Sequence, residues 1–437
     1  MHPKRPATGT DHTTRPQVSP RRAMVAALAL VTAFAGAAGV GSAQTTRAEG
    51  TWRPTRPMQV VRTDHTSTLL FGAKVLVAGG RNGSSTGAVP LSSAEVFDAR
   101  TNLWTLTASM ANVRWSHTAT LLPDGRVLVA GGFQGAAGPN AQPVTDTAEI
   151  YDPATGTWTA VAPLNVRRAL HSAALLPDGR VLVAGGRTCT QAPPAVCDFT
   201  VVTTTAEIFD PATGTWTLTA NMNVPRHTTN AARLPDGRIL VPNGFWGQGQ
   251  PRQEGEWYDP STGTWTLTEI TDVTHARQGA IRLDNGQVVI AAGFTGGSIA
   301  EAFDPGTNTW NRVGNVIESA RFNFFFSELP NGRGLIAGGQ VPATGLSRSA
   351  EVYDPATQAW RSAGLMSTPH GSSSSLSNSY EAVLISSNPF TFEANRAVCG
   401  NLCGWVLVAG GNTAAVDLYI PACAGIPANI TIQCSPY

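Results

Sequence analysis

The chain is poor in charge. Asp, Glu, Lys and Arg make up 14% of its 437 residues and the formal net charge is +1, so there is no overall field to gather nucleic acid, which is not expected as a partner. It lacks C-x2-C spacing, the common signature of a zinc site, and no metal or other cofactor is expected. A Ser-His-Asp signature, a phosphate loop and a paired-carboxylate motif are also absent, which favours a binding role over catalysis. Gly (45) and Pro (30) are abundant. That composition suits short strands joined by turns and not a helical bundle.

One apolar run stands apart from the rest. Arg21-Arg22 precede Ala23 to Val40, and small residues follow at Gly41-Ser42-Ala43. This is the layout of a secretory signal peptide over residues 1–43, with cleavage expected after Ala43. The run is Ala-rich and weakly apolar for a membrane anchor, so no stable membrane insertion is expected after cleavage. SPRRAMV, Ser19 to Val25, resembles a twin-arginine export signal, with Pro20 and Met24-Val25 departing from it; Sec export is the other route. No Cys stands after the run to carry a lipid. The expectation is a bacterial protein that is secreted, periplasmic or in the cell envelope. Six cysteines agree with an oxidising destination. They fall into three sequence-local pairs, Cys189/Cys197, Cys399/Cys403 and Cys423/Cys434, and each bridge would contribute about 2–3 kcal/mol by closing a short loop.

From there the chain repeats itself. Leu121 to Trp158 is the unit: LLPDGRVLVAGG, a loose loop, then AEIYDPATGTW. Asp124-Gly125 predicts a two-residue hairpin turn with both residues at positive φ, Val127-Leu128-Val129 a short buried strand, and Ala148 to Asp152 a third strand. Pro153 to Gly156 is turn chemistry before a fourth strand at Thr157-Trp158-Thr159. Such a four-stranded sheet cannot bury both faces alone and needs neighbours. Double-glycine ends recur at Gly79-Gly80, Gly131-Gly132, Gly185-Gly186, Gly338-Gly339 and Gly410-Gly411, with Asn243-Gly244 and Ala292-Gly293 in the same register. Six repeats close on an aromatic followed seven positions later by Trp: Phe97/Trp104, Tyr151/Trp158, Phe209/Trp216, Tyr258/Trp265, Phe303/Trp310 and Tyr353/Trp360. The seventh has Tyr419 and no Trp. Gly50-Thr51-Trp52 matches the missing piece, so the N-terminal strand is expected to complete the last sheet and close a ring, leaving only short sheet edges.

Double glycine after an apolar strand, then this aromatic and Trp spacing, resembles the kelch repeat over about residues 50 to 420. The resemblance implies an all-β fold, a seven-bladed β-propeller of four-stranded antiparallel blades over residues 44–421, with residues 422–437 as a tail. Fold does not fix function. Galactose oxidase, a secreted copper oxidase built on kelch blades, is one member of the resemblance; that family uses a Tyr crosslinked to a Cys, a second Tyr and two His. Here the cysteines fall in pairs, and Tyr151, Tyr258, Tyr353 and Tyr419 take the packing position, so the copper set finds no matching residues. A kelch-type sugar epimerase or mutarotase needs only a few acid-base groups and is a further alternative.

Loop lengths separate the two faces. Connections one-to-two and three-to-four are short and nearly identical. Connections two-to-three are long and dissimilar: Arg81 to Ser93, Phe133 to Thr147, Arg187 to Thr205 and Phe245 to Glu254. Variable loops on a rigid frame carry function, so the face with the two-to-three loops is the expected binding face, for a glycan or an extracellular or envelope protein, on a monomer. At its mouth an Arg recurs, Arg62, Arg114, Arg168, Arg226 and Arg321, with His275 in that register in blade five and Ser367 in blade seven. Three residues on come His65, His117 and His171, then Thr229, Gln278 and Phe324. The arginines could bind a carboxylate by bidentate contacts. Each blade also carries a third-strand acid, Glu95, Glu149, Glu207, Glu256, Glu301, Glu351 or Asp417, which points to a structural ion-pair lattice instead. The odd spacing sends Arg and His to opposite faces, so the histidines are expected to pack between blades and not to hold a metal. Four Trp lie outside the repeat: Trp115, Trp246, Trp257 and Trp405. Trp115 beside His117, and Trp246 with Arg252 in a long loop, are candidate contacts for a sugar or protein. Two insertions break the period, Ser386 to Gly404 and the tail from Ala422 with an N-x-T sequon at Asn429.

Overall fold

The structure, a computed structural model, describes residues 49–421 except 84–86, 136–142, 190–200, 248–249, 319–320, 330, 372–381, 385–405 and 411–413, and of 382–384 the backbone alone. The expected signal peptide over residues 1–43, the tail, the Ser386 to Gly404 insertion, Asn429 and Trp405 therefore lie outside the described residues. Of the three expected bridges, Cys189–Cys197, Cys399–Cys403 and Cys423–Cys434, only Cys189 falls within them. It is disulfide-bonded, in keeping with a stapled loop; Cys197, Cys399, Cys403, Cys423 and Cys434 lie outside the described residues. Among the described residues there is no helix, hence none long and apolar enough to cross a membrane.

Seven four-stranded antiparallel sheets form the blades. Blade two runs Thr118–Leu121, Val127–Ala130, Ala148–Asp152 and Thr157–Val161. Its first hairpin differs from the two-residue turn expected. Leu122 N donates to Arg126 O (2.8 Å) and Gly125 N to Leu122 O (3.0 Å), so Pro123 to Gly125 form a three-residue loop. Gly125 alone of the Asp-Gly pair is left-handed, at φ 90°, while Asp124 Oδ1 accepts the Arg126 amide at 3.0 Å. Proline at the first turn position fixes φ for this geometry.

The second strand, VLVA, is buried along its whole length, whereas the fourth, TWTAV, is largely exposed. Inner strands have a neighbouring blade on each side and need apolar residues at every position. There is no single core. Leu128, Ile150 and Leu164 of blade two pack on Val181, Val183, Phe209 and Trp216 of blade three, and like layers recur between the other blades. In blades two, three and four the Trp also reaches back to the blade before: Trp158 Nε1 donates to Ala108 O (2.8 Å), Trp216 Nε1 to Ala162 O (3.0 Å) and Trp265 Nε1 to Ala220 O (2.9 Å).

The ring is closed by the strand Gly50–Pro54, which pairs antiparallel with Val416–Pro421, Trp52 opposite Tyr419. Their rings lie 4.9 Å apart. Trp52 Nε1 donates to Ala363 O of blade six at 2.9 Å, and Tyr419 Oη donates to Glu49 O at 2.7 Å. Glu49 is further held by Arg333 at 2.6 Å and Arg361 at 3.4 Å. The first strands neighbour one another around the whole axis, with Thr66–Leu70 of blade one beside both blade two and Ala382–Leu384 of blade seven.

Candidate ligand-binding face

The recurring arginines belong to the frame. Arg114 lies in the connector that enters blade two. Its Nη1 donates to Gly131 O (2.8 Å) and Thr147 O (3.0 Å), and its Nη2 to Thr147 Oγ1 (3.0 Å) and Glu149 (2.8 Å). Glu149 in turn accepts the amides of Ala111 (2.7 Å) and Asn112 (3.3 Å). One buried ion pair thus ties the incoming connector to the second and third strands of its blade. Arg62–Glu95, Arg168–Glu207, Arg226–Glu256 and Arg321–Glu351 repeat this at 2.7–3.0 Å, and none of the five arginines exceeds 1% exposure. With the fork spent on carbonyls and carboxylate, these five are not the lining of an open funnel. Buried charges survive because each is paired and hydrogen-bonded.

His275 fills the same place in blade five, with Nδ1 against Ala292 O (2.6 Å) and Nε2 against Glu301 (2.7 Å). In blade seven the place is not taken by Ser367. It is taken by His370, with Nδ1 against Gly410 O (2.9 Å) and Nε2 against Asp417 (2.8 Å), while Ser367 supplies the amide that Asp417 accepts at 3.1 Å. The signal was in the sequence: Met366 stands four positions before His370, as Met58, Met110 and Met222 stand before Arg62, Arg114 and Arg226.

His117 and His171 join adjacent first strands. His117 Nε2 meets Thr66 Oγ1 at 3.0 Å and His171 Nε2 meets Thr118 Oγ1 at 2.9 Å. Burial first, and then the nearby Arg of the same connector, hold His65, His117 and His171 well below the usual histidine pKa. They are neutral packing groups, as the odd spacing predicts. No group of three His, Cys, Asp or Glu side chains among the described residues could hold a metal ion. Copper fits poorly for a further reason: Tyr151, Tyr258, Tyr353 and Tyr419 each pack on the Trp of their own blade and Cys189 is in a disulfide.

The mouth of the face is built from positions that recur in register but vary in side chain. In blades one to six the residue after the framework Arg or His meets the residue after the double glycine of its own blade: Thr63 bridges Arg81, Trp115 Phe133, Ala169 Arg187, His227 Phe245 and Phe322 Gln340, and Phe294 N donates to Ala276 O at 2.8 Å. The next residue is left-handed in six blades, at Asp64, Ser116, Leu170, Thr228, Arg277 and Asn323. Their backbones link from blade to blade, Ser116 N to Asp64 O, Leu170 N to Ser116 O, Thr228 N to Leu170 O and Asn323 N to Arg277 O, at 2.9–3.2 Å. Each blade thus offers the same backbone and a different set of side chains.

On the side of blades one and two the mouth is filled. Arg81 is ion-paired to Asp64 at 2.5 Å and lies over Trp115 (4.3 Å), both charges buried. Trp115 itself is fully buried, tilted against the Phe133 ring at 4.5 Å and donating to Gly135 O at 3.0 Å, so it is no contact surface. On the side of blades three to five Arg187 and Arg277 are half-buried, and Phe294 is 50% exposed. Trp246, 42% exposed, sits on a small hairpin with Gln250–Pro251 and is covered by Arg252 at 4.8 Å. Trp257 belongs to the frame, under Arg238 at 4.2 Å. Just past Arg187 in the chain, Thr188 and Cys189 line a cleft of about 710 Å³, with Asp146, Arg167 and Thr203 on its other walls. Of the residues singled out from sequence, Trp246 and Arg252 reach the surface together. Arg187, Arg277 and Phe294 were missed because no repeat marks them.

The Kelch motif family profile matches residues 65–111 and 114–165, the first two blades. Alpha-scruin of Limulus polyphemus is 28% identical over 185 residues, 42% of this chain and 19% of its own. A galactose oxidase of Gibberella zeae is 41% identical over 78 residues, 17% of this chain and 11% of its own. The chain therefore spans about a fifth or less of the length of these relatives. A solved fungal alcohol oxidase of the AA5 family, in complex with copper, superimposes with a TM-score of 0.62 at 18% identity, over 85% of this chain and 76% of that one; that likeness concerns the fold.

Proposed function

For a chain that is a kelch-repeat propeller related to galactose oxidase, we propose that it works as an exported binding module, taking a protein or glycan partner on the face that carries the two-to-three loops. Kelch propellers commonly serve as protein-interaction modules. The observation that carries the reading is the division of labour above: framework positions repeat from blade to blade, while the combination of side chains at the mouth changes from blade to blade and leaves Phe294 and Trp246 exposed. Surface aromatics beside arginine are what recognition surfaces use. Export is supported by the basic-apolar-small order of residues 21–43 and by the bonded Cys189.

The test compares wild type with Trp246→Ala and Arg252→Ala on a glycan array and on a panel of purified envelope proteins. Asp124→Ala on the opposite rim is the control. Binding that is weakened by the two hairpin changes and not by the control supports the face; binding lost in the control and kept in the others moves it to the opposite rim. A second reading, a carbohydrate oxidase, is favoured by the segment shared with galactose oxidase. Copper bound to the purified protein together with hydrogen peroxide release on a sugar panel would establish it in place of the binding role.

A further inference from the structure

We propose that blades five and seven are closed by proton-dependent latches: His275 and His370 stand as imidazolium ions where the other five blades use arginine, and the connectors they hold loosen as pH rises. A ring nitrogen that faces a hydroxyl can accept or donate, as at His117 and Thr66, but one that faces a carbonyl or a carboxylate has to donate. His275 meets acceptors on both sides, Ala292 O at 2.6 Å and Glu301 Oε2 at 2.7 Å. So does His370, with Gly410 O at 2.9 Å and Asp417 Oδ2 at 2.8 Å. Only the doubly protonated ring carries two N–H donors. Both rings are fully buried. A buried cation needs a paired anion, and each ring has the third-strand acid that pairs with arginine in the other blades.

The acids are committed as acceptors. Glu301 Oε1 takes the Asp272 amide at 2.8 Å, which leaves Oε2 for the ring. Burial opposes the charge on Asp417, yet the bonds from His370 and Ser367 hold its pKa below the usual carboxylate value. Of the other charged groups nearby, Asp272 is exposed, Arg277 lies over three aromatic rings, Arg321 is paired with Glu318 and Glu351, and Arg348 holds Met366 O at 2.7 Å. Loop length accounts for the use of a ring. The two-to-three connections 294–298 and 412–415 are the shortest of the seven. In blade five the turn folds back on the latch, so that a Cβ on Gly296 would lie 2.7 Å from His275 Nδ1. The compact imidazole fits beneath it. A neutral ring has one donor for two acceptors, so the strength of these latches is present at low pH and is lost as pH rises, whereas an arginine keeps its charge throughout. Ala276 and Arg277 follow His275 into the mouth, and release of that latch reaches them.

Nitrogen NMR of the full chain, labelled in histidine, reads the rings directly. Eight histidines are present, and at about pH 7.5 an unpaired imidazole is mostly neutral. Burial holds His65, His117, His171 and His227 neutral as well. The expected result is two rings with the symmetric imidazolium signature, removed one at a time by His275→Gln and His370→Gln. Hydrogen exchange, corrected for the intrinsic rate, reads the latches. The matched amides are Asp272 on Glu301 and Ser367 on Asp417, against Ala111 on Glu149 and Asn165 on Glu207 beside arginine. From about pH 6 to about pH 9 the first two should lose protection by roughly tenfold or more relative to the second two, the factor that one charge-assisted hydrogen bond carries. Each glutamine variant should abolish that response in its own blade alone. A neutral ring at either position at about pH 7.5, or an equal pH response of the four amides in wild type, overturns the proposal; wild type supplies both readouts if a variant does not fold. Neither readout needs a ligand, so the result is independent of what the mouth binds.

Discussion

At the scale of single residues, the molecule spends its charge inside. Removing one member of a buried pair strands the other, which costs about 3–5 kcal/mol, whereas replacing both by apolar residues costs less. Arg168→Met and Glu207→Met should each lower stability by about that amount in urea unfolding, and the double variant by less than their sum. His65, His117 and His171 set an acid limit. Their folded pKa lies below the unfolded value of 6.5, so the unfolded chain binds protons more tightly, and stability is present in full above about pH 6.5 and is lost as pH falls. Glu328 works in the opposite sense. Burial, and then the charge of Asp284, push its pKa from 4.5 up to about 8, so its contribution is present below pH 4.5 and is lost as pH rises through about 8. Melting temperature against pH should therefore fall at both ends. His117→Thr, which places in blade two what blade four has at Thr229, should flatten the acid side, and Glu328→Gln the alkaline side.

At the scale of the blade, what the sequence made legible was what repeats. Glycine pairs and the Phe or Tyr and Trp spacing mark groups that meet a neighbouring blade, the third-strand acid marks the group that holds the incoming connector to its own blade, and these contacts recur around the ring. Gly79 shows why. It is left-handed at φ 65°, and a Cβ there would come within 2.6 Å of Arg114 O in blade two. Gly214 is equally left-handed, at φ 70°, with nothing within 4 Å. Gly214→Ala should cost about 1–2 kcal/mol of conformational strain, and Gly79→Ala clearly more, as read by denaturant midpoint. The variable part of the mouth was illegible for the same reason in reverse. Arg187, Arg277 and Phe294 fall one or two positions beyond the repeated residues, where only the bridges of the folded loops bring them together. Ser367 was given the place of His370 because an imidazole, with one nitrogen on Gly410 O and one on Asp417, does the work of a guanidinium without sharing its letter.

At the scale of the whole molecule, stability is distributed over seven blade-to-blade interfaces, and the seventh sheet is itself completed by a strand from the other end of the described chain, with no loop joining Gly50–Pro54 to Val416–Pro421. Trp52 fills that joint, against Tyr419 and with its indole N–H on Ala363 O. Trp52→Ala should cost about 3–5 kcal/mol. Deleting the strand Gly50–Pro54 would leave Val416–Pro421 as an unpaired edge, and such edges associate; size-exclusion chromatography of the deletion should show oligomers where the intact protein shows a single species.

The contact between Tyr419 and Glu49 spans 370 positions of chain. At about 5–20 residues per second of synthesis, the segment made first stands unmated for on the order of 20–70 s before its partner leaves the ribosome. Whatever guards that nascent end in the interval decides how much of each batch matures and how much tangles with its neighbours.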